Sequence, residues 1–117
     1  MKETYVESRR RRIRDARERE STRAESARLD LDKIITILKG YRVKRIILFG
    51  SLATEHRFGK GSDIDIAVEG LERKDFIRAY ADLIMALNWP IDLKPLEDID
   101  GLFREMIMQR GKIIYER

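Results

Sequence analysis

An apolar run that ends in Gly-Ser, followed by two aspartates two residues apart, constrains this chain more than any other feature. Val43, Ile46, Ile47, Leu48 and Phe49 form a strand candidate that runs into Gly50-Ser51, and a loop rich in glycine and charge then delivers Ser62-Asp63-Ile64-Asp65-Ile66. Side chains two apart on a strand leave the same face, so Asp63 and Asp65 form one like-charged pair. Two carboxylates held together resist ionisation unless a cation lies between them, and an all-oxygen donor set suits a hard cation such as magnesium. Gly-Ser alone is an ordinary turn, and Asp-x-Asp alone is common on solvated strand ends. Their combination behind an apolar strand is what points to chemistry.

The remaining elements build a sheet around that strand. Its apolar density on both sides predicts a central position with both faces covered. In the second strand, 63–69, Ile64, Ile66 and Val68 turn to the core while Asp63, Asp65 and Ala67 turn to the open side. Residues 71–87 read as a helix with Phe76, Ile77, Tyr80, Leu83, Ile84 and Leu87 on one face. In a third strand near 89–94, Trp89, Ile91 and Leu93 alternate with Pro90, Asp92 and Lys94, and the proline fits an edge or a strand start. A helix over 96–110 presents Ile99, Leu102, Phe103, Met106 and Ile107, and Gly111 ends it. Ile113 to Tyr115 form a short apolar tail, where an additional edge strand is one option. The expected fold is α/β, a small mixed sheet with helices packed on one face and the carboxylates on the other, preceded by a long N-terminal helix.

Charge is concentrated at the start. Residues 1–28 hold Lys2 and nine arginines against six acids, which is the whole formal charge of +4. Thr4-Tyr5-Val6-Glu7 has the spacing of a capping box, and the segment after it has almost no apolar stripe, so it has little to bury. Its alternating signs and its lack of an aromatic platform disfavour nucleic acid as the ligand. From Ala24 the pattern changes to Ala24, Ala27, Leu31, Ile34, Ile35 and Leu38 at helical spacing, stopped by Gly40. With no Pro or Gly between the segments, one helix from about Val6 to Lys39 is expected. The division is therefore a charged extension at 1–23 and a domain at 24–117. With 117 residues and no cysteine, the chain has one core and no thiolate metal site, and a reducing compartment suits it. No apolar run reaches membrane-spanning length, and the cytoplasm is the expected location.

FGS followed eleven residues later by SDIDIAV resembles the signature of the minimal nucleotidyltransferases of the DNA polymerase beta-like superfamily, over roughly Leu31 to Glu116. The resemblance implies a magnesium-dependent nucleotidyltransferase that uses ATP. It assigns Gly50 and Ser51 to the phosphates, and Asp63 and Asp65 to the metals. The family's third carboxylate maps to Asp92 in Trp89-Pro90-Ile91-Asp92-Leu93, as a metal ligand and catalytic group. Arg57, Lys60 and Ser62 in the intervening loop are candidate nucleotide contacts. The chain departs from the family in carrying Leu52 and Thr54 where arginines are frequent.

Resemblance to the antitoxin members of that family implies a helical HEPN-type toxin as partner, silenced by AMP transfer or by tight binding. Two alternatives stand beside it: the catalytic subunit of a two-component transferase, whose helical partner protein supplies the pocket for a small substrate, and a catalytically silent antitoxin. A homo-oligomer is left open, and no membrane partner is expected.

Overall fold

Thr4 starts the first helix with the expected capping box. In the computed structural model, which describes residues 2–54 and 62–117, the Glu7 amide donates to Thr4 Oγ1 at 3.1 Å and the Thr4 amide donates to Glu7 Oε2 at 3.2 Å. Helix α1 runs from Tyr5 to Leu29 and buries only Ala24 and Ala27. Its arginine-rich part therefore stands in solvent, and the molecule measures 64 × 31 × 20 Å.

The single helix expected to reach Lys39 is interrupted at Asp30. There ψ rises to −5° and the Asp30 amide donates back to Ala27 O at 3.1 Å, one residue tighter than in an α-helix. Aspartate is a poor interior helix residue because its side chain competes for backbone groups. The break redirects α2, Leu31–Lys39, so that Ile34 and Leu38 enter the core.

Among the described residues four strands follow: β1 at Arg45–Phe49, β2 at Ile64–Glu69, β3 at Ile91–Pro95 and β4 at Lys112–Glu116. Their order is β3-β2-β1-β4. β1 is antiparallel to β2 and β4, while β2 and β3 run parallel. The sheet is mixed, with β1 inside it as its apolar density required, and the C-terminal tail supplies the extra edge strand. Pro90 falls just before the edge strand β3, where its missing amide costs no ladder bond.

One face of the sheet carries Ile46, Leu48, Ile64, Ile66, Val68, Ile91 and Leu93. The end of α1, α2 and the helix α4, Phe76–Ala86, cover it. In α4 the buried residues are Ala79 and Leu83, whereas Ile77 and Ile84, expected in the core, are exposed at 82% and 58%. Residues 73–75 form a tight 3₁₀ turn before α4. Phe76, Ala79, Tyr80, Leu83 and Leu87 fall on one arc of the helix and meet the core, while Ile77 and Ile84 lie beyond the edge of that arc. Tyr80 stays structural and donates its hydroxyl to Ile91 O at 2.6 Å.

The opposite face carries the acids, but it is not bare. Helix α5, Gly101–Arg110, lays Ile107 against Ile47, Phe49 and Ala67, with Leu96 and Ile99 beside it. Ala67, expected on the open side, is fully buried under this cluster. The carboxylates are left on the part of that face that α5 does not cover. Only Ile107 of α5 is buried; Leu102, Phe103 and Met106 are exposed.

Candidate active site

The strand ladder brings Asp65 and Asp92 together. β2 and β3 run parallel with Asp65 opposite Asp92, while Asp65 also pairs with Phe49, the last residue of β1. The chain then turns at Gly50 with φ +75°. A Cβ placed there would lie 2.1 Å from Asp65 Oδ2, so only glycine lets this backbone approach the carboxylate. Sequence spacing assigned Gly50 to a turn; the ladder shows that the turn is packed on an acid fifteen residues further along the chain.

Ser51 opens a single helical turn, α3, Ser51–Thr54, and is exposed. The next residue pins the turn: Leu52 is fully buried and Ala53 nearly so. Arg28, at the end of α1, donates to Leu52 O at 2.9 Å. The position where related loops often carry arginine is thus a core anchor here. Arg28 was not legible as a site-supporting residue, because its contact joins elements 24 positions apart.

Electrostatics mark Asp65 as the stressed member. Its carboxyl is pushed up to about 6, chiefly by burial, then by the charge of Asp92, with a smaller push from Asp63; Lys94 acts in the opposite sense. Lys94 reaches Asp92 Oδ2 in a direct ion pair. Asp63 lies just before β2 and is exposed, and Ser62 precedes it half-buried. The structure therefore joins Asp65, Asp92 and Gly50 closely, with Asp63 and Ser51 at the margin. Arg57 and Lys60, with His56 and Phe58, lie outside the described residues. Lys94 was missed as a site residue although its spacing from Asp92 placed it on the same strand face.

Among the described residues, no three of His, Cys, Asp and Glu are grouped tightly enough to hold a metal ion. The donor chemistry nonetheless suits a hard cation: two carboxylates face each other across adjacent strands, and burial and mutual repulsion disfavour the ionised form of one of them. Beside them, a cavity of about 310 Å³ opens between Phe49, Gly50, Phe103, Met106, Ile107 and Arg110. Phe103 packs edge-on against Phe49, with ring centroids 6.0 Å apart. An apolar hollow next to a pair of acids can take the flat part of a ligand whose charged part meets the carboxylates and their cation.

Residues 32–117 match the family described as polymerase beta, nucleotidyltransferase. No curated protein matches the chain. Among solved structures, it is 27% identical to a chain of a toxin–antitoxin complex with AMP-PNP, with a TM-score of 0.63, covering 74% of this chain and 73% of that one. It is also 27% identical to a chain in the complex of a tri-AMPylated Shewanella oneidensis HEPN toxin with an MNT antitoxin. There the TM-score is 0.59 and the coverage 77% and 72%. A third, the toxin–antitoxin MntA-HepT, is 26% identical with a TM-score of 0.59, covering 77% and 73%.

Proposed function

Because this chain belongs to the polymerase beta nucleotidyltransferase family, we propose that it transfers AMP from ATP to a hydroxyl of a helical HEPN-type toxin and acts as that toxin's antitoxin. The observation that carries this reading is the in-register Asp65–Asp92 pair packed on the backbone of Gly50. It is supported by likeness to an AMP-PNP-bound toxin–antitoxin chain and to the antitoxin bound to a tri-AMPylated toxin. The need for ATP supports a cytoplasmic location.

In the reaction, an acceptor oxygen attacks the α-phosphorus of ATP. A new oxygen–phosphorus bond forms, the bond to the β-phosphate oxygen breaks, and pyrophosphate leaves. The acceptor hydroxyl's proton passes to a carboxylate, and Asp92 takes that role. Gly50 and Ser51 hold the β- and γ-phosphates, with Ser62, Arg57 and Lys60 as further nucleotide contacts. Asp63, Asp65 and Asp92 are the residues that would hold magnesium, which, when bound, neutralises charge on the triphosphate. The hollow beside Gly50 orients the nucleotide against this corner.

The site is open, so the acceptor has to be brought by another molecule. Leu102, Phe103 and Met106 form an exposed apolar strip of α5 next to the hollow. A helical partner docked on that strip sets its acceptor hydroxyl at the carboxylates. The remaining reading, an antitoxin that silences by binding alone, is favoured by the buried Leu52 in place of a phosphate-facing arginine.

The test is incubation of the purified protein with α-labelled ATP, magnesium and the toxin encoded beside it. Label on the toxin, lost when Asp63 and Asp65 are both changed to Asn, supports transfer to protein. Label on a small product assigns the two-component alternative. No label, with the toxin still neutralised, assigns the silent one.

A further inference from the structure

Lys94 follows Asp92 by two residues on β3, so both side chains leave the same face of the edge strand, and its ammonium is paired with Asp92 Oδ2. Further acids stand on the elements around Lys94. Asp65 stands beside Asp92 in the ladder, and Lys94 also lines a second hollow whose walls include Asp98 and Asp100. A positive charge covalently attached to the chain thus pairs with an acid of the proposed metal site. It is also more than a third exposed, so it can leave without unpacking the core.

We propose that Lys94 is a built-in counter-ion: it holds the charge position of the divalent cation in the nucleotide-free protein and moves to a nucleotide phosphate when the metal arrives. The inference rests on the carboxylates being the metal site. The described part of the loop after Gly50-Ser51 offers a reason for the second half, since Leu52 is buried and brings no cation to the phosphates. Lys94 then links two loadings that would otherwise be independent. Metal binds weakly until phosphate offers the ammonium another partner, and the protein avoids sequestering divalent ions between turnovers.

Two binding measurements on the full-length chain test this. Mn2+ is titrated into nucleotide-free protein and followed by loss of the free-ion EPR signal. AMP-PNP is titrated separately at saturating Mn2+. With Lys94→Met, Mn2+ binding should tighten at least about tenfold, because removing an adjacent cation favours a second one at the same carboxylates. The same variant should weaken AMP-PNP binding at saturating Mn2+ at least about threefold. Lys94→Arg, which keeps the charge, should stay within about threefold of the unaltered protein in both. A merely structural lysine would move both affinities down together, and that result overturns the proposal. So does unchanged Mn2+ affinity in Lys94→Met when the added change Asp65→Asn abolishes binding; the metal-site reading then survives. If Asp65→Asn and Asp92→Asn leave Mn2+ binding intact in the Lys94→Met background, or if no variant binds Mn2+, the carboxylate reading itself falls.

Discussion

Asp65 and Asp92 face each other across adjacent parallel strands, and Lys94 completes the group by pairing with Asp92. This relationship sets the pH behaviour of the metal-free protein. Asp65 takes up a proton near pH 6 when folded, against about 3.9 for an unperturbed aspartate. Between those values the folded state binds more protons than the unfolded one, so stability falls as pH rises through the window. Discounted for partial solvent screening, the cost at neutral pH is about 1–2 kcal/mol. Asp65→Asn should therefore stabilise the protein by about that much at pH 7 in EDTA and by almost nothing at pH 4. Urea denaturation at the two pH values measures it. A gain of equal size at both would assign the effect to packing rather than ionisation.

Gly50→Ala tests the close approach of backbone and carboxylate. The added methyl would sit 2.1 Å from Asp65 Oδ2 at a φ of +75°, so both space and backbone oppose it. The expected result is a loss of about 2 kcal/mol or more in stability and loss of AMP-PNP binding. The double variant Gly50→Ala with Asp65→Ala, which removes the clashing carboxylate, should recover the steric part of the loss but not the part owed to the strained φ, and should not recover transfer. Full stability in the single variant would place the Gly50 backbone away from Asp65.

How far the sequence reaches is visible at the same corner. Asp65 and Gly50 were legible because strand period and turn chemistry are local rules, and Asp92 followed from a resemblance carried by its own strand. Lys94 and Arg28 were not, since an ion pair within a strand face and a side chain reaching Leu52 across 24 positions acquire meaning only when the elements are assembled. Ala67 shows the limit of alternation: its face was read correctly, but what covers that face depends on where α5 lands. Ile77 and Ile84 show another, because they border the apolar arc of α4 and only the packed sheet shows that the arc stops short of them.

The exposed strip of α5 should carry partner affinity. Leu102 is 84% exposed and Phe103 and Met106 are half so, which leaves apolar area that a partner can cover. Leu102→Asp should cost little fold stability, since the residue already lies in water, yet weaken toxin binding by about 1–3 kcal/mol. Comparing melting temperature with affinity by calorimetry separates the two. The matching change on the outer face of α4, Ile77→Asp, is the control, and equal losses from both would deny α5 a special place.

The last prediction concerns α1, whose arginine-rich half touches none of the core. Tyr5, Val6 and Ile13 are exposed, and Arg11 pairs only with Glu3, at 3.0 Å and in solvent. Exposed pairs of this kind contribute about 0.2–1 kcal/mol each, so several must act together to hold a partner. Burial begins at Ala24 and Ala27, and Arg28 supports the turn after Gly50. Deleting residues 1–19 should therefore leave the melting temperature within about 2 °C of the full chain, because no buried group is lost. Deletion through residue 28 should lower it sharply and weaken nucleotide binding. Since six acids stand among the ten bases of residues 1–28, the shorter deletion should reduce affinity for the toxin or for a second copy of the chain, and leave binding to generic RNA at near-physiological salt unchanged. Unchanged protein association with a large, salt-sensitive loss of RNA binding would make this helix a nucleic-acid contact instead.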